Sequence, residues 1–402
     1  MYNRLNILSD VKILDLSRIF TGPFCTQVLS DLGAEVIKVE PPRGDDTRYW
    51  GPPFINPEMS SYFASLNRNK QAIQLDLKED AADRSILNGL VRWADVILEN
   101  YRPGVSKKLG VDFEAMKEIN SRIVYASITG FGSTGPYRSA PSYDIIAQSE
   151  SGIMSITGTE DGELTKMGVP IGDIAAGLYG AIGILAGLRQ MEKTSQAQYI
   201  ETNLFSSLTS FLTYQSMNAY FNEEPPKPLG TAHPNIVPYQ SFQCQQGRWI
   251  SLSIGNQSCW IAYLKLLNTI KSEFSIIAQY LDYLRSEQLS INEKRIANRE
   301  KLIAVLQQIF LQADRNYWYE ILTSAGIPVG KINTVEEVHH HPQIEHLGQI
   351  KYVTKADISI PLIQTPLMIE NAEVISHTAP PELNEHRDEI IEMLEDKGYL
   401  NR

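Results

Sequence analysis

The sequence predicts an α/β fold with a doubly wound parallel sheet, and three observations carry that prediction. Short β-rich runs alternate with helical segments over the first 130 residues. The first strand–helix–strand passage takes about 30 residues, the length of a βαβ unit, whose right-handed crossover makes its strands parallel. The pattern then repeats, which builds an open sheet with helices on both faces. In order, VKILDL (11–16) is a strand, 22–32 a helix opening at Gly22-Pro23, and AEVIKVE (34–40) a strand stopped by Pro41-Pro42. KQAIQLDL (70–77), a helix over 80–93, DVILENY (95–101), a helical segment through Glu118 and RIVYASITGFG (122–132) continue the alternation. VPIGDIAAGLYGAIG (169–183) opens a glycine-rich apolar helix, and 204–221 reads as one further helix.

Beyond residue 222 the character changes. NEEPPKPLGTAHPNIVPYQ (222–240) is dense in Pro, Gly and polar residues and marks a boundary. SFQCQQGRWISLSIG (241–255) reads as a hairpin turning at Gln246-Gly247, followed by helices to about Ser324. Residues 325–338 return to extended apolar character, 358–369 to strand and turn, and 382–398 to a helix with Ile390, Ile391 and Leu394 on one face. The domain organisation predicted is 1–222, a smaller α+β domain over 223–328, and 329–402.

Composition narrows the function classes. A formal net charge of −11 over 402 residues argues against a nucleic-acid or anionic-membrane partner, which would need a basic face. Three cysteines lack the number and spacing of a disulfide framework or a zinc site, which fits a reducing cytoplasmic setting. The N-terminus has no signal-like apolar segment. The longest apolar run, 174–188, falls short of the ~20 residues that cross a bilayer and reads as a core helix.

Several residues are candidates for chemistry. Glu40 ends the second strand, where an acid can hold a ribose diol, but the first βα turn, DLSRIFTGPFC, lacks the G-x-G-x-x-G pattern of a dinucleotide site. Arg18, Arg43, Arg48, Arg68, Lys70, Arg102 and Arg138 follow strands, so some of them can converge on an anion, while isolated surface bases are commonly just solvated. Asp173, a carboxylate heading an apolar run, reads either as the N-cap of its helix or as a nucleophile kept ionised by the helix N-terminus. In both readings Gly172, Ala175, Ala176, Gly177 and Gly180 leave room for another backbone or a bulky substrate. His233 is structural or lines a cleft; His339-His340-His341 reads as a solvated loop-to-helix segment, with no metal site predicted.

The segments DLSRIFTGPFCTQVLSDLGAEVIKVEPPRGDDTR, ADVILENYRPGVSKKLGVDF, YDIIAQSESGIMSITG, PIGDIAAGLYGAIGILAGL and AGIPVGKINTVEEV, in this order, resemble the class III CoA-transferases. The resemblance implies a Rossmann-like large domain built from both chain ends, a small middle domain, and a homodimer of two interlocked ring-like subunits. It also implies that Asp173 is the nucleophile, that CoA thioesters and carboxylic acids are the substrates, and that no cofactor is permanently bound. By the same resemblance Lys70, Asn100, Tyr101 and Lys108 line the CoA site with Phe20 and Thr21. Tyr143 lies beside the thioester, and Arg43 serves the nucleotide phosphate. Phe20 replaces a glutamine of formyl-CoA transferase, and GNQS (255–258) replaces a longer glycine-rich loop, which points away from oxalate or formyl chemistry. GDDTRYWGPPF and GTAHPNIVPYQSF are similar to the succinate–hydroxymethylglutarate (glutarate) branch, which implies succinyl-CoA as donor and a short dicarboxylic acid as acceptor. Arg18, Arg48, His233 and Gly255 are the candidates on the acceptor side. Two rivals are an α-methylacyl-CoA racemase, whose catalytic histidine falls at Tyr143, a poor base at neutral pH, and a CoA-binding protein without turnover.

Overall fold

The structure, a computed structural model, describes residues 2–400. It divides into two compact units, one comprising 1–155, 166–226 and 339–402, the other 156–165 and 227–338.

The first unit is organised by six parallel strands: β1 (Lys12–Asp15), β2 (Glu35–Glu40), β3 (Lys70–Gln74), β4 (Val96–Glu99), β5 (Val124–Thr129) and β6 (Gln198–Asn203). Their spatial order is β3-β2-β1-β4-β5-β6, so the chain reverses direction across the sheet between β1 and β4. Ligands of such sheets bind outside the carboxyl ends of the strands at that reversal. Alternate residues of each strand face opposite layers, and both layers are apolar, as a sheet covered on two sides requires. Leu14, Ile37, Ile73 and Ile97 pack with Leu87, Leu90 and Leu394 on one side. Ile13, Val36, Val96, Val124 and Ile128 pack with Cys25, Leu29, Ala176 and Ile184 on the other.

The helices that matter for the site are α1 (Thr21–Asp31), α2 (Ala81–Trp93), α3 (Asp144–Glu150), α4 (Ile171–Thr194), α5 (Leu204–Phe211) and α6 (Thr213–Phe221). Asp80 caps α2 by accepting the N–H groups of Ala82 and Asp83. The single helix expected over 204–221 is two, because Thr213 takes a left-handed φ of 42° between them. Helix α4 is 24 residues long, against the shorter run read from sequence. By length and composition alone it could span a membrane, yet 44% of its most apolar window is buried in the protein. Its glycines let it approach closely. A Cβ at Gly177 would lie 2.9 Å from the Thr21 carbonyl, one at Gly180 2.7 Å from Ile128 Cδ1, and one at Gly187 2.5 Å from Ile200 Cδ1. The small residues of α4 therefore serve contact with α1 and the sheet, and the space read there for a substrate is occupied by protein.

The second unit carries the expected hairpin, β7 (Tyr239–Gln243) and β8 (Trp249–Ser253), with Gln246 at the turn in the left-handed region. β9 (Val329–Lys331) adds to β8 antiparallel. Five helices between 257 and 324 close its core around Phe242, Trp260, Tyr263, Phe310 and Trp318. Of the extended stretch expected over 325–338 only these three residues are strand. In the first unit, 358–363 pairs with 350–355 in a hairpin that patterning did not reveal, and the C-terminal helix is confined to Arg387–Asp396.

Candidate active site

At the strand reversal lies a cavity of about 350 Å³, lined by the turn after β1 (Arg18, Ile19, Phe20, Thr21), the turn after β4 (Asn100, Tyr101, Arg102), the loop after β5 (Gly130, Phe131, Arg138, Ser142, Tyr143), and Asp173 and Leu204. Nine of the residues singled out from sequence thus meet in one cavity: Arg18, Phe20, Thr21, Asn100, Tyr101, Arg102, Arg138, Tyr143 and Asp173.

Asp173 is the third residue of α4, and its side chain does not cap the helix, which corrects the N-cap reading. Capping comes from outside: Asp144, opening α3, accepts the Gly172 N–H through Oδ1 at 2.7 Å and is itself held by Gln148 at 2.6 Å. Freed from capping, the Asp173 carboxylate faces the N-terminus of α1 and accepts the Thr21 hydroxyl. Burial pushes its pKa up to about 6; the Thr21 hydrogen bond opposes that rise, and the negative charge of Asp144 adds to it. The sequence reading has the helix N-terminus keep this carboxylate ionised; desolvation raises its pKa without neutralising it. At pH 7 about nine-tenths of the group is still ionised.

The turn after β1 is held in an uncommon conformation. Ile19, a β-branched residue, sits at φ 70°, and such outliers persist only where surrounding bonds over-determine them. Those bonds are present. Asn100 accepts the Arg18 N–H at 2.8 Å and donates to the Arg18 carbonyl at 2.7 Å, tying the turns after β1 and β4 together. Asp45 accepts the Ile19 N–H at 3.1 Å and pairs with buried Lys38, which in turn donates to the Ser17 carbonyl. Phe20 stands against Phe24 and Tyr62, giving the cavity an aromatic wall. Glu99 accepts the Tyr101 N–H at 2.6 Å, and burial pushes this carboxyl up to about 7.

Four of the sequence candidates in this unit lie elsewhere, and two of them are corrected. Lys70 is buried: its ammonium reaches Asp15 at 3.3 Å, the Pro23 carbonyl at 2.9 Å and Asn67 at 3.0 Å, so it faces no cavity ligand. Burial alone would push Asp15 up, but Lys70, Lys38 and the hydroxyls of Ser17 and Thr26 hold it below the usual carboxylate range. Arg48 is likewise inside, bidentate to Glu40 at 2.6 and 2.8 Å with its guanidinium 3.7 Å from the Phe63 ring centre, and so cannot read an acceptor. Glu40 is thereby explained as an ion-pair partner. Arg43 and Lys108 are exposed and do not line the cavity. His233 and Gly255 belong to the second unit, where His233 accepts the Asn235 N–H and its ring lies 5.2 Å from that of Tyr239, tilted by 51°. His341 caps the short helix Pro342–Leu347, and among the described residues no group of His, Cys, Asp and Glu has the arrangement of a metal site.

Three residues at or beside the cavity had no assigned role in the sequence. Arg102 and Arg138 line the cavity but appeared only in the scatter of strand-end bases, and Asp144, which caps α4 from outside the cavity lining, appeared only inside YDIIAQ. A second cavity of about 440 Å³ adjoins along the ends of β4, β5 and β6, sharing Tyr101, Arg102 and Thr129 and lined by Glu99, Asp112 and Glu114.

The arrangement thus offers a half-buried, mostly ionised carboxylate at the meeting of two helix N-termini, with a cationic rim at a strand reversal. Comparison with known proteins agrees with the motifs. The human succinyl-CoA:glutarate CoA-transferase is 37% identical over 97% of this chain and 86% of its own length. The succinate–glutarate CoA-transferase of Agrobacterium fabrum is 34% identical over 98% and 97%. A solved CAIB/BAIF family protein from Brucella suis superposes with a TM-score of 0.86 at 37% identity, covering 97% of this chain and all of that one. Residues 8–387 match the CoA-transferase family III as one continuous stretch, and with relatives this similar over nearly the whole chain, the protein belongs to that family.

Proposed function

We propose that the protein moves CoA from succinyl-CoA to a short dicarboxylic acid, with Asp173 as the nucleophile. The observation that carries this reading is the position of Asp173: an uncapping, partly desolvated carboxylate that opens on the cavity at the strand reversal. The donor and acceptor follow from the names of the relatives, two of which act between succinate and glutarate.

The Asp173 carboxylate attacks the thioester carbonyl carbon; the C–S bond breaks and the CoA thiolate leaves with its electron pair, giving a mixed anhydride. The thiolate then attacks the aspartyl carbonyl, releasing succinate and forming an aspartyl-CoA thioester. The acceptor carboxylate attacks that thioester, expels the thiolate and forms a second anhydride. Thiolate attack on the acceptor acyl carbon yields the new acyl-CoA and frees Asp173. No proton is gained or lost, and the thioester bond energy is conserved. Thr21 orients the nucleophile, while Asn100 and Tyr101 hold the wall along which the CoA arm enters. CoA's remote contacts position the reacting ends.

The protein acts as a homodimer in this reading, in the interlocked form the resemblance implies. Helices α4 and α6 support it: Ile182, Met217, Tyr220 and Phe221 are exposed there, with Tyr220 at 82% and Phe221 at 79%. Apolar side chains of that size are costly to leave in water. Light scattering should give twice the chain mass.

The mechanism is tested by incubating the protein with succinyl-CoA and reducing with borohydride. Asp173 should be modified in the wild type, and exchange should vanish in Asp173→Ala. An active enzyme whose Asp173 peptide stays unmodified would overturn the covalent route.

A further inference from the structure

We propose that Arg138 reads the second carboxylate of the dicarboxylic acid and is the residue that sets the acceptor class; this rests on the transferase reading of the cavity. Three guanidinium groups line that cavity, and their surroundings differ. Arg18 is already neutralised by Asp46, 2.5 Å away. Arg102 follows directly on Asn100 and Tyr101 in the turn assigned to the CoA arm, and it also lines the adjoining cavity with Glu99, Asp112 and Glu114. Arg138 has no carboxylate within 4 Å among the described residues; its backbone N–H is taken by the Gly135 carbonyl, and its side chain is exposed.

A dicarboxylic acid whose one carboxylate reacts at Asp173 has its other carboxylate only a few carbons away, inside a cavity of about 350 Å³. A carboxylate removed from water there needs a charged, hydrogen-bonding partner. Arginine's planar fork accommodates both carboxylate oxygens, which makes it selective for that group over a methyl end. Arg138 lies on the loop that runs on to Tyr143 and Asp144, and Asp144 caps the helix carrying Asp173. The residue that would hold the distal end and the one that sets the nucleophile's helix are thus on one stretch of chain. Among the strand-end bases, Arg138 is the guanidinium in the cavity left uncommitted to a protein carboxylate and outside the CoA turn.

The experiment compares Arg138→Gln and Arg138→Lys with the wild type, using butyryl-CoA as donor so that the donor carries no second carboxylate. The efficiency (kcat/KM) for glutarate relative to valerate should fall about 10- to 100-fold in Arg138→Gln, the loss expected for a charge-assisted hydrogen bond, and recover in part in Arg138→Lys. An unchanged glutarate-to-valerate ratio overturns the assignment. Calorimetric binding of glutarate in the presence of CoA separates this proposal from the transferase reading. A wild type that transfers no CoA yet binds glutarate, with binding lost in Arg138→Gln, sinks the activity and keeps the carboxylate reader. Glutarate binding of equal strength in both proteins sinks the reader.

Discussion

Two sets of basic residues lie in or near the strands of the first unit, and they have opposite fates. Arg18, Arg102 and Arg138 line the cavity with Asp173. Lys38, Arg48, Arg68 and Lys70 are buried beneath it, each within 3.3 Å of a carboxylate oxygen: Asp45, Glu40, Asp31 and Asp15. Within the buried set, Lys38 with Asp45 holds the backbone of the turn that carries Arg18, at Ser17 and Ile19. Charge at a strand end is therefore a poor guide to ligand binding when half of it supports the scaffold.

The sharpest break in this comparison is chemical. Asp173→Ala should lower acyl exchange by at least about 10³-fold, as losing a covalent nucleophile does, with the fold retained in circular dichroism. Next in size is a change of stability. Lys70→Met takes the ion-pair partner from buried Asp15, leaving it only Lys38 nearby and the hydroxyls of Ser17 and Thr26, and urea unfolding should register a loss of about 3 kcal/mol, whereas Arg138→Gln should stay within about 0.5 kcal/mol of wild type. Equal stabilities for the two variants would erase the distinction between the sets.

Smaller effects concern the state of the nucleophile. Because Asp173 must be ionised and its pKa is raised to about 6, exchange should be on a plateau above pH 7 and fall with unit slope as pH drops through 6, to about one-tenth at pH 5. A profile flat down to pH 4.5 would contradict the buried setting. Asp144→Ala removes an N-cap and should cost about 1 kcal/mol of stability. It should also move the pH midpoint downward, since the Asp144 charge is one of the groups raising Asp173.

Sequence by itself determined the alternation of strands and helices, and with it the parallel sheet and the end of that sheet at which a ligand belongs. Hydrophobic period and turn chemistry are local, so β1, α1 and β2 could be read to within a residue or two. It also marked Asp173, because a carboxylate heading an apolar helix is conspicuous without any neighbour being known. Tertiary structure decided the rest. Whether Lys70 or Arg138 meets a ligand depends on which carboxylate lies across the sheet, and Asp15 is 55 residues distant in sequence from Lys70. The glycines of α4 show the same dependence: only the packed neighbours reveal that their space is taken by α1 and by Ile128 and Ile200. So too with the cap of α4, supplied by Asp144 from 28 residues upstream. Patterns of period and turn are written in adjacent residues, whereas the burial and pairing of a charge are properties of groups the chain brings together only when it folds.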